Sequence, residues 1–186
     1  MATTLERLDD WLRAYRPDYH AQLSPGLTAE EVLAFEQALG RELPDAFKGF
    51  FRWRNGQDDG CYDSLVHNFS LMSADAVIGA RTGLNGLLEG GDFDRANWWS
   101  PGWIPFLHNG GGDHYCLDLA GTFTGAPGQV LVFWHADSDR PIQSRDFATW
   151  LETVVTLLEA DDFGLDEYGV DLEDHDPGYP LEFEAG

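Results

Sequence analysis

Side chains that can bind metals or act as nucleophiles cluster between residues 108 and 118, and one more histidine follows at position 135. Alternate residues of an extended strand point to the same side, so we expect His114, Cys116 and Asp118 to share one face. A closed zinc site usually shows closely spaced pairs of Cys and His ligands, and the sequence lacks this pattern. We therefore predict a turn and an ordinary strand here, without a metal site. The full set is His108, Asp113, His114, Cys116, Asp118 and His135.

Signatures of nucleophilic or phosphate-transfer catalysis are also absent from the sequence. There is no Gly-x-Ser-x-Gly elbow, and Cys116 beside His114 has no orienting third group. The single lysine, Lys48, lies in no phosphate-binding loop. Residues 110–112 are glycines that join two predicted strands, where they serve the geometry of the loop. A pair of carboxylates remains an open alternative because acids are abundant. We predict no catalytic residues and no cofactor.

The charge of the chain indicates the chemistry of a partner. Among its 186 residues, 33 are acidic and 11 are Lys or Arg, which gives a formal net charge of −22. Such a chain repels phosphate backbones and anionic lipid surfaces, so we predict no nucleic-acid partner and no membrane partner. A protein with a basic face is the expected partner. The sequence does not predict an oligomeric state.

The N-terminus and the cysteines indicate the compartment. Acidic residues appear before any apolar stretch can form, so we expect neither a signal peptide nor a transit peptide. The two cysteines, Cys61 and Cys116, fit buried thiols in a reducing compartment better than a disulfide framework. No apolar run approaches the ~20 residues of a membrane span. We predict a cytoplasmic location.

Hydrophobic periodicity predicts helices followed by a strand meander and a final helix. Helices are expected over 5–15, 28–39, 44–54 and 73–88, and a last helix is expected to begin at a Ser144 cap. Thr3 with Glu6 and Thr28 with Glu31 have the spacing of capping boxes at the starts of the first two. Strands are expected over 65–71, 103–107, 114–119 and 129–135. Residues 57–64, which contain Asp58 and Asp59, are expected to form an exposed acidic loop. This order predicts an α+β fold with a single antiparallel or mixed sheet and flanking helices.

The C-terminal segment differs in composition from the rest of the chain. Residues 146–186 contain 13 acidic residues and no Lys or Arg. Tyr179, Leu181 and Phe183 alternate as in a strand. We predict a domain over residues 1–160 and an acidic extension over residues 161–186 that is partly docked on it.

Two adjacent tryptophans form a candidate binding anchor. Trp98 and Trp99 cannot both point inward from an extended segment, so one of them is expected at the surface. Tryptophan is enriched at protein interfaces. Packing of both side chains inside the protein remains the alternative.

Three sequence blocks resemble the SUKH superfamily, specifically its SMI/KNR-type group. The first block is Leu43-Pro44, an aromatic helix and Asn55-Gly56. The second is Trp103-Ile104-Pro105-Phe106, the turn to Asp113, and Tyr115-Cys116-Leu117-Asp118. The third runs from Gly128-Gln129-Val130 through His135 to Phe147, Trp150 and Leu151. The resemblance covers roughly residues 25–158 and implies an α+β domain. The group contains fungal cell-wall-assembly regulators and bacterial toxin-immunity proteins.

The resemblance and the charge together lead to one functional hypothesis and one alternative. The hypothesis is a non-catalytic immunity protein that binds and neutralises a basic toxin domain, such as a nuclease. The alternative is a regulatory scaffold of the cell-wall-coordination type. The candidate partner-binding residues are Asp58, Asp59, Trp98, Trp99, Asp113, Asp171, Glu173, Asp174 and Asp176.

Overall fold

The computed structural model describes residues 2–160, 169–172 and 178–186. These residues contain six helices and seven strands. The helices are α1 (Thr4–Tyr15), α2 (Pro17–Ala21), α3 (Ala29–Leu39), α4 (Asp45–Trp53), α5 (Ala74–Gly90) and α6 (Phe147–Glu159). The strands are β1 (Leu23–Pro25), β2 (Arg54–Gln57), β3 (Ser70–Leu71), β4 (Trp103–His108), β5 (His114–Asp118), β6 (Gln129–Phe133) and β7 (Ile142–Ser144).

The strands form one five-stranded meander and one small ladder. The order in the main sheet is β3–β4–β5–β6–β7, and every pair is antiparallel. The predicted α+β class with an antiparallel sheet and flanking helices is therefore confirmed. A separate ladder of β1 and β2, together with α2 and β7, was not predicted from the sequence, because these elements are too short to show a period.

Side chains at the helix N-termini follow the predicted capping rules with one exception. Thr3 and Glu6 form a capping box on α1, and Thr28 and Glu31 form another on α3. The predicted Ser144 cap of the last helix is wrong. Ser144 ends β7, and the Asp146 carboxylate instead accepts the Thr149 N–H at 2.7 Å. Arg145 and Asp146, which lie between β7 and α6, turn the chain from the sheet into this helix.

Each face of the main sheet carries its own apolar cluster. Phe106, Val130 and Val132 belong to the larger cluster, which includes the aromatic side chains of α4 and α6. On the other face, a smaller cluster contains Trp103 and Phe133. Partly buried leucines of α5 and C-terminal aromatic residues pack against the smaller cluster. The sheet is thus a buried central layer, and its connecting loops are left to form the surface.

The end of the chain lies along the edge strand β7. The backbones of Ile142 and Leu181 exchange two hydrogen bonds of 2.9 Å, and the Arg140 N–H donates to the Phe183 carbonyl at 2.7 Å. Farther upstream, the Val170 N–H donates to the Leu65 carbonyl at 3.1 Å. The described C-terminal residues therefore contact the domain, while the domain boundary at residues 160 and 161 stays a prediction.

Within the described residues, the helices lack the length and apolar character required to traverse a lipid bilayer.

Two glycines, one in an open position of α5 and one in a crowded loop, test the local packing. Gly83 lies exposed in α5, where an added Cβ would meet no atom within 4 Å. We expect Gly83→Ala to raise the free energy of unfolding by about 0.5–1 kcal/mol, because alanine loses less backbone entropy in a helix. Urea denaturation measures the change.

The matched variant is Gly26→Ala, which makes the same chemical change in a crowded position. Its added Cβ would lie 1.8 Å from the Arg52 carbonyl oxygen. We expect a loss of about 1–3 kcal/mol from the resulting overlap. Shifts of the same sign in both variants would contradict the packing described for these positions.

Candidate partner-binding surface

A strongly acidic loop follows β2 and stands at the surface. We call residues 58–64 the acidic loop. Asp58 and Asp59 are exposed, as expected from the sequence, and Tyr62 between the acids is 89% exposed. Tyr62 was not predicted from the sequence as a binding residue. Acidic and aromatic side chains thus lie together on one short segment, and these are the side chains with which a cationic surface interacts.

Gln57 fixes the course of the acidic loop from within. Its Nε2 donates to the carbonyl oxygens of Cys61, at 3.1 Å, and Asp63, at 2.9 Å. Its Oε1 accepts the Leu71 N–H at 2.9 Å and the Tyr19 O–H at 3.2 Å. One amide side chain therefore links the acidic loop to β3 and α2.

Arg16 holds the far end of the same loop. The side chain is buried, and its Nη1 donates to the Ser64 carbonyl at 2.6 Å. Its Nη2 lies 3.2 Å from the Asp63 carboxylate, and the guanidinium stands 4.6 Å from the Tyr19 ring centroid. Neither Gln57 nor Arg16 was predicted from the sequence as a site residue. Neither residue belongs to a local motif, and the loop that Arg16 holds lies almost 50 residues away in the chain.

A polar cluster around Asp9 anchors the strand that carries Gln57. The Asp9 carboxylate accepts hydrogen bonds from Trp53 Nε1 at 2.8 Å and from Arg54 Nη2 at 2.9 Å, and it contacts His20 Nε2 at 2.9 Å. Burial raises the pKa of Asp9, but these hydrogen bonds and the Arg54 charge outweigh it and lower the pKa overall. The ionised carboxylate ties α1 and α2 to β2.

The acidic loop borders a groove on its sheet side. The groove has a volume of about 540 Å³. Burial lowers the pKa of His108 in its wall, while the nearby Asp59 charge acts in the opposite direction. The imidazole is therefore neutral at physiological pH. The lining residues are Asp59, Cys61, Tyr62, Ser64, Asn68, Ser70, His108, Asn109 and Gly110.

The opposite wall of this groove is the turn between β4 and β5. We call residues 109–113 the glycine turn. Asn109 Oδ1 accepts the N–H groups of Gly111, at 2.8 Å, and Asp113, at 3.1 Å. Asp113 accepts from Asn109 Nδ2 at 2.6 Å and from the His135 backbone N–H at 2.8 Å. Asp113 therefore organises the turn, and its role as a partner-binding residue stays a prediction.

Charge is retained on Asp113 despite its partial burial. Desolvation raises the pKa of its carboxyl, but the hydrogen bonds from the His135 backbone and ring and from Asn109 lower it below the usual value. The His135 Nδ1 lies 2.8 Å from the Asp113 Oδ1. Through this contact the glycine turn connects to the loop that follows β6.

The two tryptophans have different environments. Trp99 is 3% exposed, donates its Nε1–H to Asn85 Oδ1 at 2.8 Å, and packs edge-on against Trp103 and Phe133. A side chain so deeply buried cannot contact a partner, so the prediction of Trp99 as a binding residue is wrong. Trp98 is only partly buried and remains a candidate.

The tail residues predicted for the same role are described only in part. Asp171 is exposed and follows Val170, whose carbonyl accepts the His67 N–H at 2.9 Å. Asp171 therefore belongs beside the segment that leads out of the acidic loop. Glu173, Asp174 and Asp176 lie outside the described residues.

The strand residues with catalytic or metal-binding character have separate structural partners. The His114 ring stacks on Phe133, and its Nδ1 lies 3.2 Å from the Leu107 carbonyl. Cys116 is fully buried, which raises the pKa of its thiol. Asp118 accepts the N–H groups of Ala120 and Thr122 at 2.8 and 2.6 Å. In the described ranges, no three His, Cys, Asp or Glu side chains converge as metal ligands would.

Comparison with known proteins matches this chain to a protein family and to a curated relative. The model of the SMI1 / KNR4 family (SUKH-1) matches residues 26–153, which include the acidic loop and the glycine turn. The "Cell wall assembly regulator SMI1" of Saccharomyces cerevisiae is 22% identical over 198 aligned residues. The alignment covers 82% of this chain and 39% of the yeast protein, so the chain spans about two fifths of that relative's length.

The support of the acidic loop can be tested at Arg16. We expect Arg16→Met to lower the free energy of unfolding by about 1–3 kcal/mol, because the Ser64 carbonyl loses its buried donor. Protease cleavage within residues 58–64 should become faster in the folded protein. As a control, Arg145→Met removes a guanidinium whose side chain is 70% exposed and should change stability by less than about 0.5 kcal/mol. Unchanged stability and cleavage in Arg16→Met would contradict the role of this side chain.

Burial of His114 predicts a pH dependence of stability. Burial lowers its pKa to about 4, although the Leu107 carbonyl acts in the opposite direction. An unfolded histidine has a pKa of about 6.5. Between these values the unfolded chain binds a proton that the folded chain does not, so stability falls as the pH decreases from about 6.5 to 4. The loss amounts to at most about 3 kcal/mol.

The variant His114→Phe preserves the ring stack but removes the titrating group. We expect its free energy of unfolding to depend less on pH over this interval than that of the wild type. Urea denaturation at several pH values gives both curves. Parallel curves would show that His114 is not the group responsible.

Proposed function

Because this chain belongs to the SMI1/KNR4 family (SUKH-1), we propose that it acts by binding another protein and not by catalysing a reaction. The observation that carries this proposal is the acidic loop, which Gln57 and Arg16 hold in one course while Asp58, Asp59 and Tyr62 remain exposed. A loop that is already ordered loses little conformational entropy on binding, and this favours affinity.

The finer proposal is a cytoplasmic immunity protein that neutralises a cognate toxin domain with a basic face. A nuclease toxin is a suitable target, because an enzyme that binds a phosphate backbone presents cationic side chains around its active site. The net charge of −22 would attract such a face from a distance. Electrostatic steering raises association rate constants from about 10⁵–10⁶ to 10⁸–10⁹ M⁻¹s⁻¹ at low salt. The exposed Tyr62 would then bury apolar area and slow dissociation.

A regulatory scaffold is the second candidate, and one specific observation favours it. The yeast relative carries the name of a cell wall assembly regulator. In that role the same acidic surface would bind a signalling protein instead of a toxin. A neighbouring gene for a large secreted protein with a toxin-like C-terminal domain favours immunity, whereas its absence favours the scaffold.

The acidic loop gives the direct test of the immunity proposal. The double variant Asp58→Asn with Asp59→Asn removes two exposed charges while preserving the side-chain volumes. Against the neighbouring toxin domain, we expect the association rate constant to fall about three- to tenfold at low salt and the dissociation rate constant to change less than about twofold. At about 0.5 M salt the difference should disappear through screening.

The control removes the same charge elsewhere on the surface. Glu30 and Glu42 are exposed acids at and beyond the ends of α3, so the variant Glu30→Gln with Glu42→Gln has an equal net charge. We expect it to slow association less than the loop variant does. Equal slowing would show that total charge, and not the acidic loop, directs encounter. A toxin domain that neither binds nor loses activity would reject immunity and leave the scaffold.

A further inference from the structure

We propose that a second groove, built around Trp98, binds an arginine side chain presented by a partner protein. We call it the tryptophan groove, and it has a volume of about 560 Å³. It lies beyond the glycine turn from the acidic loop, and the inference does not depend on the role proposed for that loop. Its lining residues are Asp92, Phe93, Asp94, Arg95, Trp98, His135, Ala136, Asp137 and Ser138.

The ring of Trp98 is held in place from inside the protein. Arg140 is completely buried, and its guanidinium carbon lies 4.9 Å from the centroid of the Trp98 ring. The Arg140 Nη2 and Nε also donate to the Trp98 carbonyl, at 2.9 and 3.3 Å. Arg140 stands 4.8 Å from the Phe133 ring as well. The indole is therefore a fixed aromatic surface.

A guanidinium of this chain already occupies the solvent side of the groove. Arg95 is exposed, and its guanidinium carbon lies 5.8 Å from the centroid of the Trp98 ring. Among the described residues, no carboxylate forms an ion pair with Arg95. It is thus an internal ligand with the chemistry expected of the partner, and it can leave without breaking an ion pair.

The rim of the groove carries the charge that a cation requires. Asp92, Asp94 and Asp137 are all exposed, so the groove is lined by three acidic residues and one arginine. The His135 ring in the wall is engaged by Asp113 at 2.8 Å. An incoming arginine would meet an aromatic ring and an excess of negative charge, and it would displace Arg95.

The shape of the ring surface favours arginine over lysine. A guanidinium is planar and weakly hydrated, so it stacks on an indole at a lower desolvation cost than an ammonium group. Cation–π contacts at exposed sites are strong enough to produce a preference of a few fold. The groove should therefore prefer arginine to lysine, which charge alone would not achieve. The experiment measures this preference.

The probes are a fluorescein-labelled nonaarginine peptide and its nonalysine counterpart, with binding to the full chain measured by anisotropy at about 0.15 M salt. We expect the wild type to bind the arginine peptide about two- to fivefold more tightly than the lysine peptide. Arg95→Ala should strengthen binding of the arginine peptide by a similar factor, because the internal ligand is gone. Weaker binding by Arg95→Ala would overturn the proposed displacement.

The location of the site is tested with variants that preserve the fold. The triple variant Asp92→Asn, Asp94→Asn and Asp137→Asn should lower affinity for the arginine peptide about tenfold. The control with equal charge carries Glu30→Gln, Glu42→Gln and Asp75→Asn, all exposed positions outside the groove, and should lower it less than threefold. Equal losses in the two triple variants would show diffuse binding and overturn the proposal.

The variant Trp98→Leu tests the role of the indole ring through the ratio of the affinities for the arginine and lysine peptides. The arginine-to-lysine preference should fall to about one, even if the variant is less stable than the wild type. In the 15N-labelled wild type, the indole N–H resonance of Trp98 should shift more than those of the other six tryptophans on adding the arginine peptide. A preference retained without the indole, or an unshifted Trp98 resonance, would overturn the proposal.

Discussion

The arrangement of the surface depends on buried and partly buried polar side chains that hydrogen-bond to the backbone of exposed loops. Gln57 and Arg16 provide these bonds to the acidic loop. Its aspartates repel one another, and in a chain with a net charge of −22 few surrounding cations can offset this repulsion. A neutral amide and one buried guanidinium are therefore what keeps the acids together on a defined segment. Without these two side chains, the acidic residues would keep their charge but would no longer hold a fixed position on the surface.

Hydrogen bonds from side chains to loop backbone recur around the sheet, from buried and from exposed positions alike. Asp118 organises the connection from β5 to β6 by accepting backbone N–H groups and the Gln129 amide at 2.9 Å. Asn109 and Asp113 close the glycine turn. Arg140 joins the loop around Trp98 to the loop that precedes β7 and, through its backbone, to Phe183. Each loop is fixed by one or two side chains, so the surface is formed before any partner arrives.

Local patterns in the sequence predicted the regular elements, and long-range contacts account for what they could not predict. The capping boxes at Thr3 and Thr28 and the central strands β4, β5 and β6 depend on neighbours within a few residues, and the structure confirms them. Ser144 was expected to cap α6 because it has the right residue type, but its position at the end of β7 leaves that role to Asp146.

The candidate site shows the same difference between what local sequence patterns predict and what long-range contacts determine. Exposure of Asp58 and Asp59 followed from composition, because charged residues between two regular elements remain in water. The burial of Trp99 depends on the side chains of Asn85 and Phe133, which lie far from it in the sequence and which no local pattern relates to it. Gln57 and Arg140 look like ordinary polar residues in the sequence. Their importance arises only when the fold places backbone carbonyls around them.

The central claim is that an acidic surface, ordered in advance, binds a basic protein. Hydrogen–deuterium exchange of the full chain, alone and in complex with its partner, tests this claim most directly. We predict that the Asp58 and Cys61 amides, which donate to the Gln22 and Asp58 carbonyls, exchange slowly in the free protein. On binding, we expect further protection that is confined to the acidic loop, the glycine turn and their immediate neighbours. Rapid exchange of these two amides in the free protein, or protection restricted to α3 and its surroundings, would contradict the account.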